Sequence, residues 1–145
     1  MTRTAVKRGP ETDAIIAALS AAPILTGDGI RPAGGGFPAD DPSQPFVPYA
    51  VVFQSITSLI DGPLDDPNAD VVAEYQVTSI GVTRASASFI ADKAKATLLN
   101  TPLTVPGRTV QLVEWVLGRP AERDDDVTPP LFYAIDIYSI STSPA

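Results

Sequence analysis

The chain has 145 residues, no cysteine, no histidine and a net charge of −7. Disulfide frameworks and thiolate chemistry are therefore excluded, and the commonest general base is missing. An acidic chain whose few Lys and Arg are scattered is also a poor grip for nucleic acid, because phosphate affinity comes from clustered cations.

At 44% hydrophobic and 19% charged residues, the composition is that of one globular domain with a single core. No run approaches the ~20 apolar residues of a membrane span. The basic opening, Met1 to Pro10, leads into an apolar stretch broken by Asp13 and Ser20, so no secretory leader is expected. Residues 1–9 read as a flexible basic lead-in, and residues 10–145 as the single domain.

Pro10 opens the first predicted helix, since a first-turn residue needs no N–H. Ile15, Ile16, Leu19 and Ala22 recur at helical spacing. The helix is expected from Glu11 to Ala21, ending before Pro23. Residues 22–47 follow as a long loop rich in Pro and Gly. Its Gly34–Gly35–Gly36 run is not a phosphate loop: no strand feeds it, and no Gly-Lys-Ser/Thr closes it. Phe37 and Phe46 stand out in it. They either pack back on their own domain or dock on a neighbour as the loop orders on assembly.

The β-branched and aromatic run from Pro48 to Ile60 predicts a strand. Residues 61–70 make a turn carrying Asp61, Asp65, Asp66 and Asp70. A second strand follows, in which Glu74, Gln76 and Thr78 alternate with Ala73, Tyr75 and Val77, so one face of the sheet is partly polar. Thr83 or Ser86 caps the next helix. Its stripe of Ala87, Ile90, Ala91, Ala94 and Leu98 faces the core, with Asp92, Lys93 and Lys95 turned away. Asn100 and Pro102 end it.

A third strand spans Arg108 to Gly118, with Val110, Leu112 and Val116 on one side and Val113, Trp115 and Leu117 on the other. An acidic loop holding Asp124, Asp125 and Asp126 leads to the last strand. There Leu131, Tyr133, Ile135 and Ile137 alternate with Phe132, Ala134, Asp136 and Tyr138. Neither acidic cluster has the alternating ligands and closing Glu of a calcium loop, so no metal and no cofactor is expected.

The element order, helix-strand-strand-helix-strand-strand, predicts an α+β domain: a mainly antiparallel four-stranded sheet flanked by two helices. The last two strands carry large apolar groups on both sides. That surplus calls for a cover, and contact between copies is the expected one, with Trp115, Phe132 and Tyr138 among the anchors. Catalysis is not expected. Lys93 and Lys95 lie on a solvated helix face, and Asp136, flanked by apolar residues in a strand, is expected to pair with an Arg or face a subunit contact.

The helix GVTRASASFIADKAKATLLN, the stretch PLTVPGRTV and the acidic loop running into RDDDVTPPLFYAIDIYSISTSP resemble the tail terminator proteins of long-tailed (siphovirus-type) bacteriophages, in particular those infecting actinobacteria. The N-terminal helix in a chain of this length resembles them too. The likeness runs from Pro48 to Pro144 and extends loosely over the first 47 residues. It implies a small α+β fold, a homo-hexameric ring on the last ring of the tail tube, an end to tube polymerisation, and a surface for the head–tail connector protein. It also implies a place at the head-proximal end of the tail in the virion, assembly in the host cytoplasm, and DNA passing through the lumen without sequence-specific binding. No catalytic residue comes with it. On this reading the 61–70 and 119–130 segments lie at the ring faces or lumen, where their carboxylates repel DNA. A head-closure, tail-completion or minor tail protein, and a small ligand-binding α+β module, remain as alternatives.

Overall fold

The computed structural model describes residues 9–61 and 70–144. The basic lead-in expected for residues 1–9 falls almost wholly outside them. The order of elements is α1 (Gly9–Ala21), β1 (Thr26–Asp28), a short 3-10 turn (Pro38–Asp40), β2 (Tyr49–Asp61), β3 (Asp70–Gly81), α2 (Arg84–Asn100), β4 (Arg108–Gly118), β5 (Glu122–Asp124) and β6 (Leu131–Pro144).

These residues form a six-stranded sheet in the order β1-β2-β3-β6-β4, with β5 also paired to β6. Every pairing is antiparallel except β1 with β2, which is parallel. The expected four strands are β2, β3, β4 and β6. The expectation of only four is corrected by β1 and β5. Each is three residues long, too short to show a period of two. The expected loop at 22–47 is therefore partly built. Thr26 to Asp28 pair with Ala50 to Val52, and Gly36 and Val47 form a further bridge.

Both helices lie on one face of the sheet. Ile15 and Leu19 of α1 and Ile90, Ala94 and Leu98 of α2 share a core with Ala50, Val52, Ala73, Tyr75, Val77, Tyr138 and Ile140. The small residues of the α2 stripe let the helix approach the strands closely. The Thr83 hydroxyl caps α2 by accepting the Ser86 N–H at 3.1 Å, as expected of a Ser/Thr cap. At the C-terminus of α1, the Leu19 carbonyl accepts the N–H groups of Ala22 and Ile24 at 3.1 and 2.8 Å. This turns the chain into β1 just past Pro23.

Candidate functional site

Among the described residues, no helix covers the second face of the sheet. The strand register assigns its residues. On β6, Ala134, Asp136, Tyr138 and Ile140 are buried under the helices, while Tyr133, Ile135, Ile137 and Ser139 alternate to the other side and are only half-buried. Cross-strand rows extend this face: Thr78 beside Ile135, Gln76 beside Ile137, and Glu74 beside Ser139. On β4, Leu117 pairs with Ile137, Glu114 with Ser139 and Leu112 with Ser141. The end of the face near Ile80, Tyr133, Ile135, Ile137 and Leu117 is apolar. The middle, with Glu74, Gln76, Glu114 and Ser139, is polar and acidic. Residues 31–47 fold over one corner of this face only, where Phe46 lies 6.1 Å from Tyr49 and Tyr49 and Val51 are buried.

Strand β4 is the outer edge of the sheet, and it departs from the simple alternation of its sequence. Register shifts fall between Val110 and Leu112 and between Trp115 and Leu117. Each bulge consumes one residue and inverts the facing of those beyond it. As a result Val110 and Val113 both pack against the core. Leu112, Trp115, Val116 and Leu117 are 49%, 41%, 51% and 52% exposed. The expected grouping of Val110 with Leu112 and Val116 on one side is corrected by these two bulges.

Trp115 is held in place from both sides. Its indole N–H donates to Asp136 Oδ1 at 2.9 Å, and Lys95 Nζ sits 3.6 Å from the ring centroid, a cation–π contact. Gly118 leaves room for this arrangement: a Cβ there would meet the indole ring and lie 2.6 Å from Asp136 Oδ1. Burial pushes the Asp136 carboxyl up, partly offset by the indole N–H and the Lys95 charge, with Asp92 pushing the same way as burial. Asp136 is thus the acceptor for an exposed aromatic, a role its apolar sequence neighbours do not reveal.

The other anchors separate. Tyr138 is fully buried, so its expected place on a contact surface is corrected. β6 is flanked by β3 and β4, and the helix-facing side chains of such an inner strand belong to the core. Burial raises the Tyr138 phenol well above its ordinary range. Phe132 is half-buried at the start of β6, opposite Gly81. Phe37 and Phe46 meet edge to face at 5.0 Å. With Arg31, Tyr49, Pro129 and Leu131 they line an open hollow of about 200 Å³. Gly35 permits the contact, since a Cβ there would lie 3.0 Å from the Tyr49 ring. On the rim, Arg31 pairs with Asp40 at 3.4 Å. Ala39 and Asp40 both take positive φ, 51° and 56°, a conformation that costs non-glycine residues of order 1 kcal/mol each.

The acidic turn is self-contained. Asp124 Oδ1 accepts the Asp126 N–H at 3.0 Å, Arg123 Nε pairs with Asp125 Oδ1 at 2.6 Å, and Glu122 Oε2 accepts the Tyr133 hydroxyl at 3.0 Å. Asp65 and Asp66 lie outside the described residues, as do the side chains of Asp61 and Asp70. Among the described residues no group of three His, Cys, Asp or Glu could hold a metal, and no helix is long and apolar enough to cross a membrane.

No family model and no curated protein matches the chain. Among solved structures it is similar to a chain of the "Virion of native gene transfer agent (GTA) particle", with a TM-score of 0.52 and 13% sequence identity. The match covers 89% of this chain and 84% of that one. It shows a shared fold.

Proposed function

We propose that this chain is a structural virion protein that acts as a tail terminator. Copies of it form a ring on the finished tail tube, stop tube polymerisation, and offer the opposite ring face to the head–tail connector. The observation that carries the reading is the sheet face left uncovered by both helices and greasier than its sequence class requires. An antiparallel sheet open to water shows a polar outer face. Here Tyr133, Ile135, Ile137, Leu112 and Leu117 occupy it. Surfaces of this kind mark contacts between proteins. The fold it shares with a chain of a gene transfer agent virion supports a place in a virion, and the sequence resemblance supports the head-proximal end of the tail.

The parts suit the task. Ring closure needs a heterologous contact between identical copies, made by two different surfaces of each. The exposed β4 edge supplies one, and the apolar end of the open face is left to meet the tube or the connector. The loop built around Phe37 and Phe46, with its hollow, supplies a surface for the tube or the connector. The polar middle of the open face, with Glu74 and Glu114 and no cation in their row, and the Asp124–Asp126 turn keep passing DNA mobile by like-charge repulsion. The role is mechanical, and no residue is assigned a reaction.

The test is to add the chain to polymerising tail tube protein and measure tube lengths by electron microscopy. Tubes that shorten with increasing ratio and carry a ring at one end support the reading. Tube lengths that stay unchanged, with bare ends, contradict it.

A further inference from the structure

The ring proposed above leaves open which surfaces join neighbouring copies, and the sheet itself answers. We propose that β4 of one copy pairs, antiparallel, with the outer edge of β2 of the next, Phe53 opposite Leu117 and Asp61 opposite Thr109. The sheet then runs continuously from copy to copy.

Among the described strands, neither outer edge has a strand partner over matching lengths. β1 pairs only with Ala50, Val51 and Val52, so among the described strands none pairs with the outer side of β2 over residues 53–61. β4 pairs on one side with β6, and its outer side over residues 109–117 meets no described strand. Each stretch is nine residues long. Natural edge strands are blunted by brevity, lysine, proline or bulges, and the two bulges of β4 are matched by two in β2. β4 is long and its sequence RTVQLVEWVLG holds neither lysine nor proline, whereas the other edge is closed by β1 only where the proposed pairing stops.

Polarity fits a second copy. Strand direction alternates across β2, β3, β6 and β4, because each adjacent pair is antiparallel. A neighbour related by rotation about an axis along the strands therefore presents its β2 antiparallel to β4. The contact is head to tail, joining opposite edges of identical chains, as a ring requires.

The bulges fix the register. β2 shifts between Gln54 and Ile56 and between Leu59 and Asp61. β4 shifts between Val110 and Leu112 and between Trp115 and Leu117. The extra residues, Ser55 and Ile60 on one edge and Gln111 and Val116 on the other, have the same spacing. In the proposed pairing the bulged regions face each other, and the bends they introduce coincide. Each row of the sheet then runs on into the same row of the next copy. Phe53, Gln76, Ile137 and Leu117 make one such row, and Ser58, Val72, Ser141 and Leu112 another. Sliding by a single residue sets the central positions of the two strands on opposite faces.

The edge supplies part of the area: Leu112, Trp115, Val116 and Leu117, on the two sides of β4, together expose on the order of 400 Å² of apolar surface. That is about half of the ~800 Å² each partner gives to a standard interface. On the facing edge Phe53 is 41% exposed and meets Leu117, 52% exposed.

The absence of native cysteine makes the test direct. The double variant Phe53→Cys with Leu117→Cys places two thiols about three strand spacings apart in one chain, roughly 14 Å, beyond the reach of a disulfide. Oxidation under conditions of ring formation is expected to give a covalent ladder of multimers ending at one closed species. The offset pair Phe53→Cys with Leu112→Cys is expected to give none. Leu117→Lys, at an exposed site, is expected to fold normally and lose assembly by at least tenfold in concentration. An absent ladder, or an equal ladder from the offset pair, overturns the edge pairing. Rings still seen by electron microscopy in that case leave the terminator reading standing with a different contact. No rings and no capped tubes remove both.

Discussion

The two faces of this sheet solve opposite problems with strands in common. On the covered face Tyr75, Val77, Tyr138 and Ile140 are sealed beneath α1 and α2. On the open face Ile135, Ile137 and Leu117 come from the same or adjacent strands and stay half-buried or exposed. On β6 the side that is sealed carries an aspartate, while the side left open carries Leu131, Tyr133, Ile135 and Ile137. A lone subunit gains nothing from that arrangement, since apolar surface left in water forfeits about 25 cal/mol per Å². The difference teaches that the covered face sets the stability of the subunit and the open face its company.

Substitutions on the two faces should therefore separate folding from assembly. The largest effect is expected at Tyr75→Ala. Its ring is fully buried, and burial pushes the phenol up to about 12. Loss of about 3–5 kcal/mol in urea unfolding is expected, as for other large aromatic truncations. Ile137→Ser on the open face should cost far less in the same assay, yet weaken assembly measured by sedimentation. Equal losses of stability at the two sites would erase the distinction between the faces.

Gly118→Ala sharpens the comparison at the edge where the faces meet. The added methyl displaces the indole of Trp115 from Asp136. Overpacking of this kind costs about 1–3 kcal/mol, and the fluorescence of Trp115, the chain's one tryptophan, should report the move. An unchanged emission spectrum would mean the Lys95–Trp115–Asp136 arrangement is not what holds the ring.

On the covered side, Glu11 is buried at the base of α1. Neither carboxylate oxygen makes a hydrogen bond of good geometry among the described residues. Burial pushes its carboxyl up, offset in part by its own backbone N–H and the charge of Arg108. The folded state therefore holds this proton more tightly than the unfolded chain. The stabilisation is fully present below the ordinary glutamate range and is lost as pH rises through the raised folded value. Glu11→Gln should add on the order of 1 kcal/mol at neutral pH and flatten that part of the pH profile of the unfolding midpoint. A profile identical to that of the parent chain would contradict the assignment.

The smallest effect is expected from replacing Asp124, Asp125 and Asp126 with Asn together. Asn at 124 still accepts the 126 N–H, and the Arg123–Asp125 pair is exposed. Stability should move by no more than about 0.5 kcal/mol and ring formation should persist. A ring that falls apart would show that these carboxylates join subunits instead of repelling DNA.

Legibility in the sequence follows the same division. The α2 stripe, the Thr83 cap and the alternation of β3 and β6 could be read because helical and strand periods are long and clean there. β1 and β5 could not, at three residues each. The outward turn of Leu112 was hidden by bulges at Gln111 and Val116, which carry no sequence mark. Alternation on β6 gave two sets of side chains without saying which was inside. Hydrophobicity alone points to the wrong set, because Asp136 is paid for by a tryptophan 21 residues away. Tyr138 reads as a surface anchor because both sides of the last strand carry large apolar groups.

The most direct test of the account is the mass of the purified chain against concentration, at modest ionic strength, with and without tail tube protein. A shift is expected from a single 15.2 kDa chain to one closed multiple of it, abolished by Leu117→Lys. A strict monomer at the highest concentration, unchanged by the tube protein, would contradict it.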